Sequence, residues 1–214
     1  MHGTSQKIQT KNKEKVMKHI IIASNNKHKL KEINTILDNY KLLTLNDIGF
    51  YDDIIEDGET FEENALIKAT TIRKYIEGTE YSQYPIIADD SGLSVDALNS
   101  APGIFSARYS GQGDEGNRQK LLKELEGVTD RKAHFYCCMA ISLPNGETTT
   151  RLGKTEGTIT TEKIGDESFG YDCLFMSTPL NKTFGEATEE EKNSVSHRYY
   201  ALLEVKKFLA EIEY

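Results

Sequence analysis

Apolar residues along this chain follow two periods, and the switches between them mark out the elements. The run His19-Ile20-Ile21-Ile22-Ala23 is almost continuously apolar over a strand's length, the pattern of a strand covered on both faces. The polar stretch Ser24-Asn25-Asn26-Lys27-His28-Lys29 follows, and then Leu30, Ile33, Ile36 and Leu37 recur at helical spacing. A second strand is predicted near residues 42–45. The next helix opens with Thr60-Phe61-Glu62-Glu63, a capping box with Thr60 as N-cap and Glu63 reaching back. Phe61, Ala65, Leu66, Ala69, Ile72 and Ile76 give that helix one apolar face. Ile86-Ile87-Ala88 then reads as the end of a buried strand. It runs straight into Asp89-Asp90-Ser91-Gly92, which has the chemistry of a turn.

Beyond a turn at Ser100-Ala101-Pro102-Gly103, a helix is predicted over residues 115–125, with Leu121, Leu122 and Leu125 inward. The second half changes character. Residues 133–143 form a long strand candidate, Asn145-Gly146 a hairpin signal and residues 147–160 the returning partner. A second hairpin-like region carries Phe169-Gly170-Tyr171-Asp172 and the apolar run over 173–176. Thr188-Glu189-Glu190-Glu191 is another capping box, after which Lys192, Val195, Tyr199, Leu202, Leu203 and Phe208 fall at helical spacing. An α/β first half, an antiparallel excursion and closing helices together predict an α/β fold with a mixed β-sheet, flanking helices and two lobes.

Composition bounds the function. At 214 residues, with 37% hydrophobic and 28% charged residues, the chain suits one soluble domain or two intimate lobes. No apolar run approaches the roughly 20 residues of a membrane-spanning helix, and no secretory signal is evident. Residues 1–17 are lysine-rich and aperiodic, so they are expected to be a flexible extension, with residues 18–214 forming the single domain. The odd cysteine count (Cys137, Cys138, Cys173) fits reduced, buried thiols in a cytoplasmic protein, with Cys137 and Cys138 on opposite faces of a strand. A net charge of −8 argues against a general nucleic-acid binder. Five of the lysines sit in the first 18 residues, so the rest of the chain is more acidic still. A phosphate-bearing ligand therefore needs local cations, a metal or helix N-termini.

Three places carry candidate chemistry. Strand, polar loop and helix over residues 19–37 aim amides and Lys29 at one spot suited to an anion, although solvated lysines on a helix face would give the same pattern. The loop lacks the glycines and the Gly-Lys-Ser/Thr ending of a Walker loop. Asp89 and Asp90 repel each other unless they share a cation or proton, which makes Mg²⁺ a natural partner; the plainer alternative is an Asp-rich turn capping a helix. Glu56 lies in an acidic turn before the capped helix, free to approach another element, and Lys68 shares a helix face with Asn64. Gly111-x-Gly113-x-x-Gly116 imitates a dinucleotide fingerprint, but no buried strand leads into it and Asp114 and Glu115 would oppose a pyrophosphate.

Read together, six stretches resemble one family. They are Ala-Ser-Asn-Asn-x-x-Lys (from Ala23), Thr-Phe-x-Glu-Asn-Ala-x-x-Lys-Ala (from Thr60), Ala-Asp-Asp-Ser-Gly-Leu-x-Val-Asp-Ala-Leu (from Ala88), Ala-Pro-Gly-x-x-Ser-Ala-Arg-Tyr-Ser-Gly (from Ala101), Phe-Gly-Tyr-Asp (from Phe169) and Glu-Lys-Asn-x-x-Ser-His-Arg (from Glu191). In this order they resemble the inosine/xanthosine triphosphate pyrophosphatases, the Ham1-like proteins. The resemblance implies an elongated central mixed sheet with a cleft between lobes. It also implies hydrolysis of ITP, dITP and XTP to monophosphate and pyrophosphate, dependent on Mg²⁺, in a homodimer. By the same resemblance Ser24, Asn25, Asn26, Lys27, His28 and Lys29 hold the triphosphate, and Lys68 also binds substrate. Asp90 is the general base or water-orienting metal ligand, Glu56 and Asp89 help hold the metal, and Ser91 touches substrate. Phe169, Gly170, Tyr171, Asp172, His197 and Arg198 enclose the base, and Lys192 binds phosphate or sugar.

The chemistry is consistent with those roles. Attack of water on the α-phosphorus requires a positioned nucleophile and neutralised oxygens. Donors from His197 and Arg198 suit a 6-oxo purine, where adenine would present a donor against donors. Phe169 and Tyr171 are equally readable as core aromatics, and His197 as a capping histidine. Departures from the family pattern are Ser24 for a common Thr, Lys27-His28 for a frequent Pro-Gly, Cys173 for a usual Pro and Tyr199 for a common Gly. Two rivals are a Maf-like enzyme preferring pyrimidine or modified nucleotides and a non-catalytic nucleotide- or RNA-binding module. The Phe-Gly-Tyr-Asp and Ser-His-Arg stretches oppose the first, the acidic charge the RNA form of the second.

Overall fold

The computed structural model describes residues 17–167 and 169–212; all of the expected N-terminal extension except Met17 lies outside them. Twelve principal elements follow one another: β1 (Lys18–Ile22), α1 (Lys27–Ile36), β2 (Tyr40–Leu43), α2 (Phe61–Tyr75), β3 (Ile86–Val95), α3 (Gly113–Glu124), β4 (Lys132–Ser142), β5 (Thr148–Ile159), β6 (Phe175–Ser177), β7 (Lys182–Thr183), α4 (Glu189–Val195) and α5 (His197–Glu211). The strands form one mixed sheet in the order β2-β1-β3-β4-β5-β6-β7. β1 pairs in parallel with β2 and β3, as helical crossovers require, while every pairing from β3 onward is antiparallel.

Both faces of the sheet's centre are covered, which explains the continuous apolar run of β1. Ile20, Ile22, Ile87, Cys137, Met139 and Ile141 pack beneath α1 and α5. Ile21, Ile86, Ala88, Cys138 and Ala140 face α2 through Ala65, Ala69 and Ile72. Cys137 and Cys138 thus do lie on opposite faces, and all three cysteines are free and buried. A third cluster joins Leu93, Val95 and Phe135 to Leu121 of α3 and to Tyr171, Phe175 and Phe184, forming the core of the second lobe.

The structure corrects several expectations. β2 begins earlier than predicted, at Tyr40, and α3 two residues earlier, at Gly113. The Thr60 side chain accepts from Glu63 N, but Glu63 caps Glu59 N at 2.6 Å instead of closing the box; the box at Thr188 and Glu191 is complete. The closing helical pattern is broken at Ser196, whose extended backbone ends α4 and whose hydroxyl caps α5 by accepting from Tyr199 N at 3.0 Å. The largest correction concerns Asp89-Asp90-Ser91-Gly92. These residues are no turn: β3 runs through them, paired residue by residue with β4 from Ile86↔Ser142 to Val95↔Ala133. Local turn chemistry is overridden by a full-length antiparallel ladder.

Candidate active site

β1 reaches only as far as Ile22, opposite Ile87, whereas β3 continues to Val95. Where β3 outruns β1, the sheet edge opens into a cavity of about 570 Å³ between the lobes. It lies at the carboxyl end of β1, where the connections to α1 and α2 depart to opposite faces, the usual place for a ligand in an open α/β sheet. The strand's period of two divides the adjacent carboxylates between those faces.

Asp89 turns toward α1 and α5. One oxygen accepts from the Lys29 ammonium and from Ser91 Oγ at 2.9 Å; the other accepts from Arg198 Nε at 2.8 Å and Cys137 Sγ at 3.2 Å. Burial alone would raise its pKa, but Arg198 and Lys29 hold the carboxyl well below the usual carboxylate range. Both oxygens are therefore engaged by protein donors.

Asp90 turns the other way, toward α2. Its Oδ1 accepts from Lys68 Nζ at 3.0 Å, and Lys68 also bonds Glu56 Oε2 at 3.0 Å. Asp90 Oδ2 is buried without a hydrogen-bond partner among the described residues. Burial raises the Asp90 pKa against the pull of Lys68. Burial would lower that of Lys68, yet Asp90 and Glu56 raise it, keeping the ammonium charged. Glu56 meets Lys68 of α2, the helix it precedes, and only through Lys68 is it linked to Asp90 of β3.

The loop after β1 is organised by its own side chains. Ser24 Oγ accepts from Asn26 N at 3.2 Å, and Asn26 Oδ1 caps α1 by accepting from His28 N and Lys29 N at 3.0 and 3.2 Å. Three of the loop amides expected to meet an anion are thus already satisfied. Ser24, Asn25, Asn26, His28 and Lys29 line the cleft; Lys27 is exposed and is not part of the lining.

At the other wall, Gly170 N donates to Asp114 at 2.9 Å and Gly170 O accepts from Arg118 at 2.8 Å, so the start of α3 braces the Phe-Gly-Tyr-Asp loop. Tyr171 is a buried core aromatic whose hydroxyl donates to Ser106 O at 2.8 Å. Phe169 stays half-buried on the cleft. His197 lies flat on Phe135, with centroids 4.8 Å apart and Nδ1 unpartnered among the described residues. Burial, reinforced by Arg198, puts its pKa well below the ordinary histidine value. Arg198 spends Nη1 on Glu32 at 2.5 Å and Nη2 on Ser91 Oγ at 3.1 Å. Lys192 bonds Asp172 at 2.5 Å and lies 3.4 Å from Glu32, in a second pocket of about 130 Å³ next to the cleft.

Glu32 escaped the sequence reading. It sits three residues after Lys29 and four before Ile36, on a face that turns inward, and that spacing was the available signal. Burial would raise its pKa; Arg198 and Lys192 bring it down. Asp114, Arg118 and Ser106 were also missed, because each acts by holding backbone far away in sequence.

The cleft lining holds seven carboxylates (Asp52, Asp53, Glu56, Asp89, Asp90, Asp114, Asp172) against four cations (Lys29, Lys68, Arg108, Arg198), so a polyphosphate needs further positive charge to bind.

The profile of the Ham1 family matches residues 20–208. The chain is a member of the Ham1 family. Over 202 residues it is 48% identical to a dITP/XTP pyrophosphatase of Clostridium perfringens, spanning 92% of this chain and 99% of that protein. A dITP/XTP pyrophosphatase of Bacillus subtilis is 44% identical over 200 residues, spanning 91% and 98%. Among solved structures, the Ham1 protein of Staphylococcus aureus superposes with a TM-score of 0.80 at 39% identity, covering 90% of this chain and 98% of that one. The Ham1 fold therefore accounts for the mixed seven-stranded sheet with flanking helices. Among the described residues no helix is long and apolar enough to cross a membrane.

Proposed function

We propose that this Ham1-family chain hydrolyses noncanonical purine nucleoside triphosphates (dITP, ITP and XTP) to the monophosphate and pyrophosphate. The observation that carries the reading is the divided tandem: Asp90 lines the cleft and keeps one buried oxygen without a partner among the described residues, while Asp89 on the opposite face holds Lys29 and Arg198. The names of the relatives support the same substrate class.

In this mechanism Asp90 orients the attacking water and takes its proton. Lys29 and Lys68 exchange their carboxylate partners for phosphate oxygens and neutralise the charge that develops there. Asp90 and Glu56 would hold a Mg²⁺, and the unpartnered oxygen beside a second carboxylate fits an ion that commonly takes one or two protein carboxylates and completes its shell with phosphate and water. That ion, when bound, supplies further neutralisation of phosphate oxygens.

At the base end, Phe169 offers a ring face. Arg198 retains N–H groups beyond the three already engaged, so it can donate to a 6-oxo group, and His197 borders the same space. Adenine would set its amino donor against these donors, the kind of mismatch that rejects a wrong substrate strongly. The proposal extends to a cytoplasmic homodimer, for which the exposed Phe105 and Leu152 offer apolar surface; light scattering on the purified chain tests the dimer.

The deciding experiment incubates the protein with dITP, ITP, XTP, GTP, ATP and TTP, with and without Mg²⁺, assaying phosphate and pyrophosphate separately. Pyrophosphate from the first three alone is the expected result. Orthophosphate alone, or equal rates on all six, refutes the reading.

A further inference from the structure

His28 stands where Gly is frequent in the family, and its ring has a definite place. The imidazole stacks on Phe169 with centroids 4.7 Å apart and planes 27° from parallel. His28 belongs to the first turn of α1, with its amide held by Asn26 Oδ1 at 3.0 Å. Its backbone is therefore fixed, while the solvent-exposed side chain is free to turn about its own torsions. His28, Phe169 and Asp172 line both the cleft and the second pocket, so the stacked rings form part of the partition between them. On the second pocket's side stands Lys192, whose ammonium is 5.1 Å from the Phe169 centroid.

We propose that His28 is a gate on the base-binding end of the site: in the free protein its imidazole takes the Phe169 face on which a purine ring stacks, and a nucleotide seats its base by turning His28 aside. The inference rests on the reading of residues 169–172 as the base end. Its physical basis is exclusion. At 4.7 Å the imidazole is at stacking distance, and one ring face accommodates one stacked partner. Every binding event then breaks the intramolecular stack before making the intermolecular one, which weakens substrate binding by the worth of the lost pair. Gating needs a side-chain rotation and no movement of the α1 backbone. His28 thus sets the affinity of the base end, and it acts by competition.

The test is His28→Ala, which keeps a strong helix former on an exposed position of α1. Removing the competitor lowers KM for dITP by about two- to tenfold, the range of an aromatic pair, and raises kcat/KM in proportion. The same substitution in a Phe169→Leu background leaves KM where Phe169→Leu alone has set it, because no stack remains to be broken. A KM that rises on His28→Ala overturns the gate and makes His28 one jaw of a clamp on the base; an unchanged KM overturns it as well. Failure of the underlying reading looks different. It shows as wild-type protein without dITP hydrolysis, or as Phe169→Leu without effect on KM. If Phe169→Leu raises KM and His28→Ala does not lower it, the gate alone falls.

Discussion

Neutralising either of two adjacent aspartates should have opposite consequences. Asp89→Asn replaces a fully buried carboxylate that accepts from Lys29, Ser91, Arg198 and Cys137. The amide keeps one acceptor and turns an NH₂ group toward a cation. Breaking a buried ion pair by removing one partner costs about 3–5 kcal/mol. Arg198 keeps Glu32 at 2.5 Å and the Lys29 side chain retains 16% exposure, so the lower end applies. For a domain of this size about 3 kcal/mol lowers Tm by roughly 6–12 °C. Asp90→Asn keeps an acceptor for Lys68 and removes a charge that burial disfavours, so its Tm should match the wild type or exceed it. Activity should divide the other way, with Asp90→Asn losing about 10²–10⁴-fold in kcat and Asp89→Asn losing less. Thermal melting followed by circular dichroism, paired with pyrophosphate release, reads both quantities. The sign of the pH dependence follows from the depressed Asp89 pKa: its stabilisation is present above the unfolded value near 4 and is lost as pH falls through the lower folded value, so the gap between wild type and Asp89→Asn closes only in strong acid. An Asp90→Asn protein that melts below Asp89→Asn, or an Asp89→Asn protein that melts like the wild type, refutes the division of roles.

Three further outcomes are expected. A Cβ on Gly153 would meet His197 O at 2.0 Å and Ala201 N at 2.5 Å, so Gly153→Ala should push α5 off β5, cost about 1–3 kcal/mol in urea titration and raise KM by displacing Arg198. His197 is buried with a pKa well below 6.5, so the neutral ring's stabilisation is complete above that value and declines as pH falls beneath it. The difference in stability between wild type and His197→Gln should accordingly shrink below about pH 6.5 with a slope of up to about 1.4 kcal/mol per unit, and a flat difference contradicts the burial argument. Mg²⁺ should raise the melting temperature of the wild type by an amount that grows with its concentration, reaching about 2.7 kcal/mol of stabilisation at 100 times its Kd, and should do so far less in Glu56→Gln or Asp90→Asn.

Much of the architecture was legible because it is written in periodicity. The buried run of β1, the apolar face of α2 and the Asn145-Gly146 hairpin all reside in short windows of sequence. The path of β3 was not, since Asp89-Asp90-Ser91-Gly92 has turn composition and is held extended by β4, which lies some 50 residues later. The same limit hid Glu32. Its helix position fits a solvated glutamate equally well until Arg198 and Lys192 arrive from α5 and α4. Tyr171 shows the converse: a motif position that invites a binding role lines the cleft and also packs into the core and bonds Ser106, contacts that come from far along the chain. What the chain encodes locally is which groups exist; the ladder register decides which of them meet.

The open edge of β3 also bears on motion. Asp89 and Asp90 are consecutive residues, yet one is tied to Lys29 of α1 and Arg198 of α5, the other to Lys68 of α2. These helices belong to separate apolar clusters on opposite sides of the sheet. A polyanion that draws Lys29 and Lys68 onto itself slackens a tether in each layer at the same moment. Two adjacent peptide units thus form a joint across which occupancy of the cleft is felt on both sides of the sheet together.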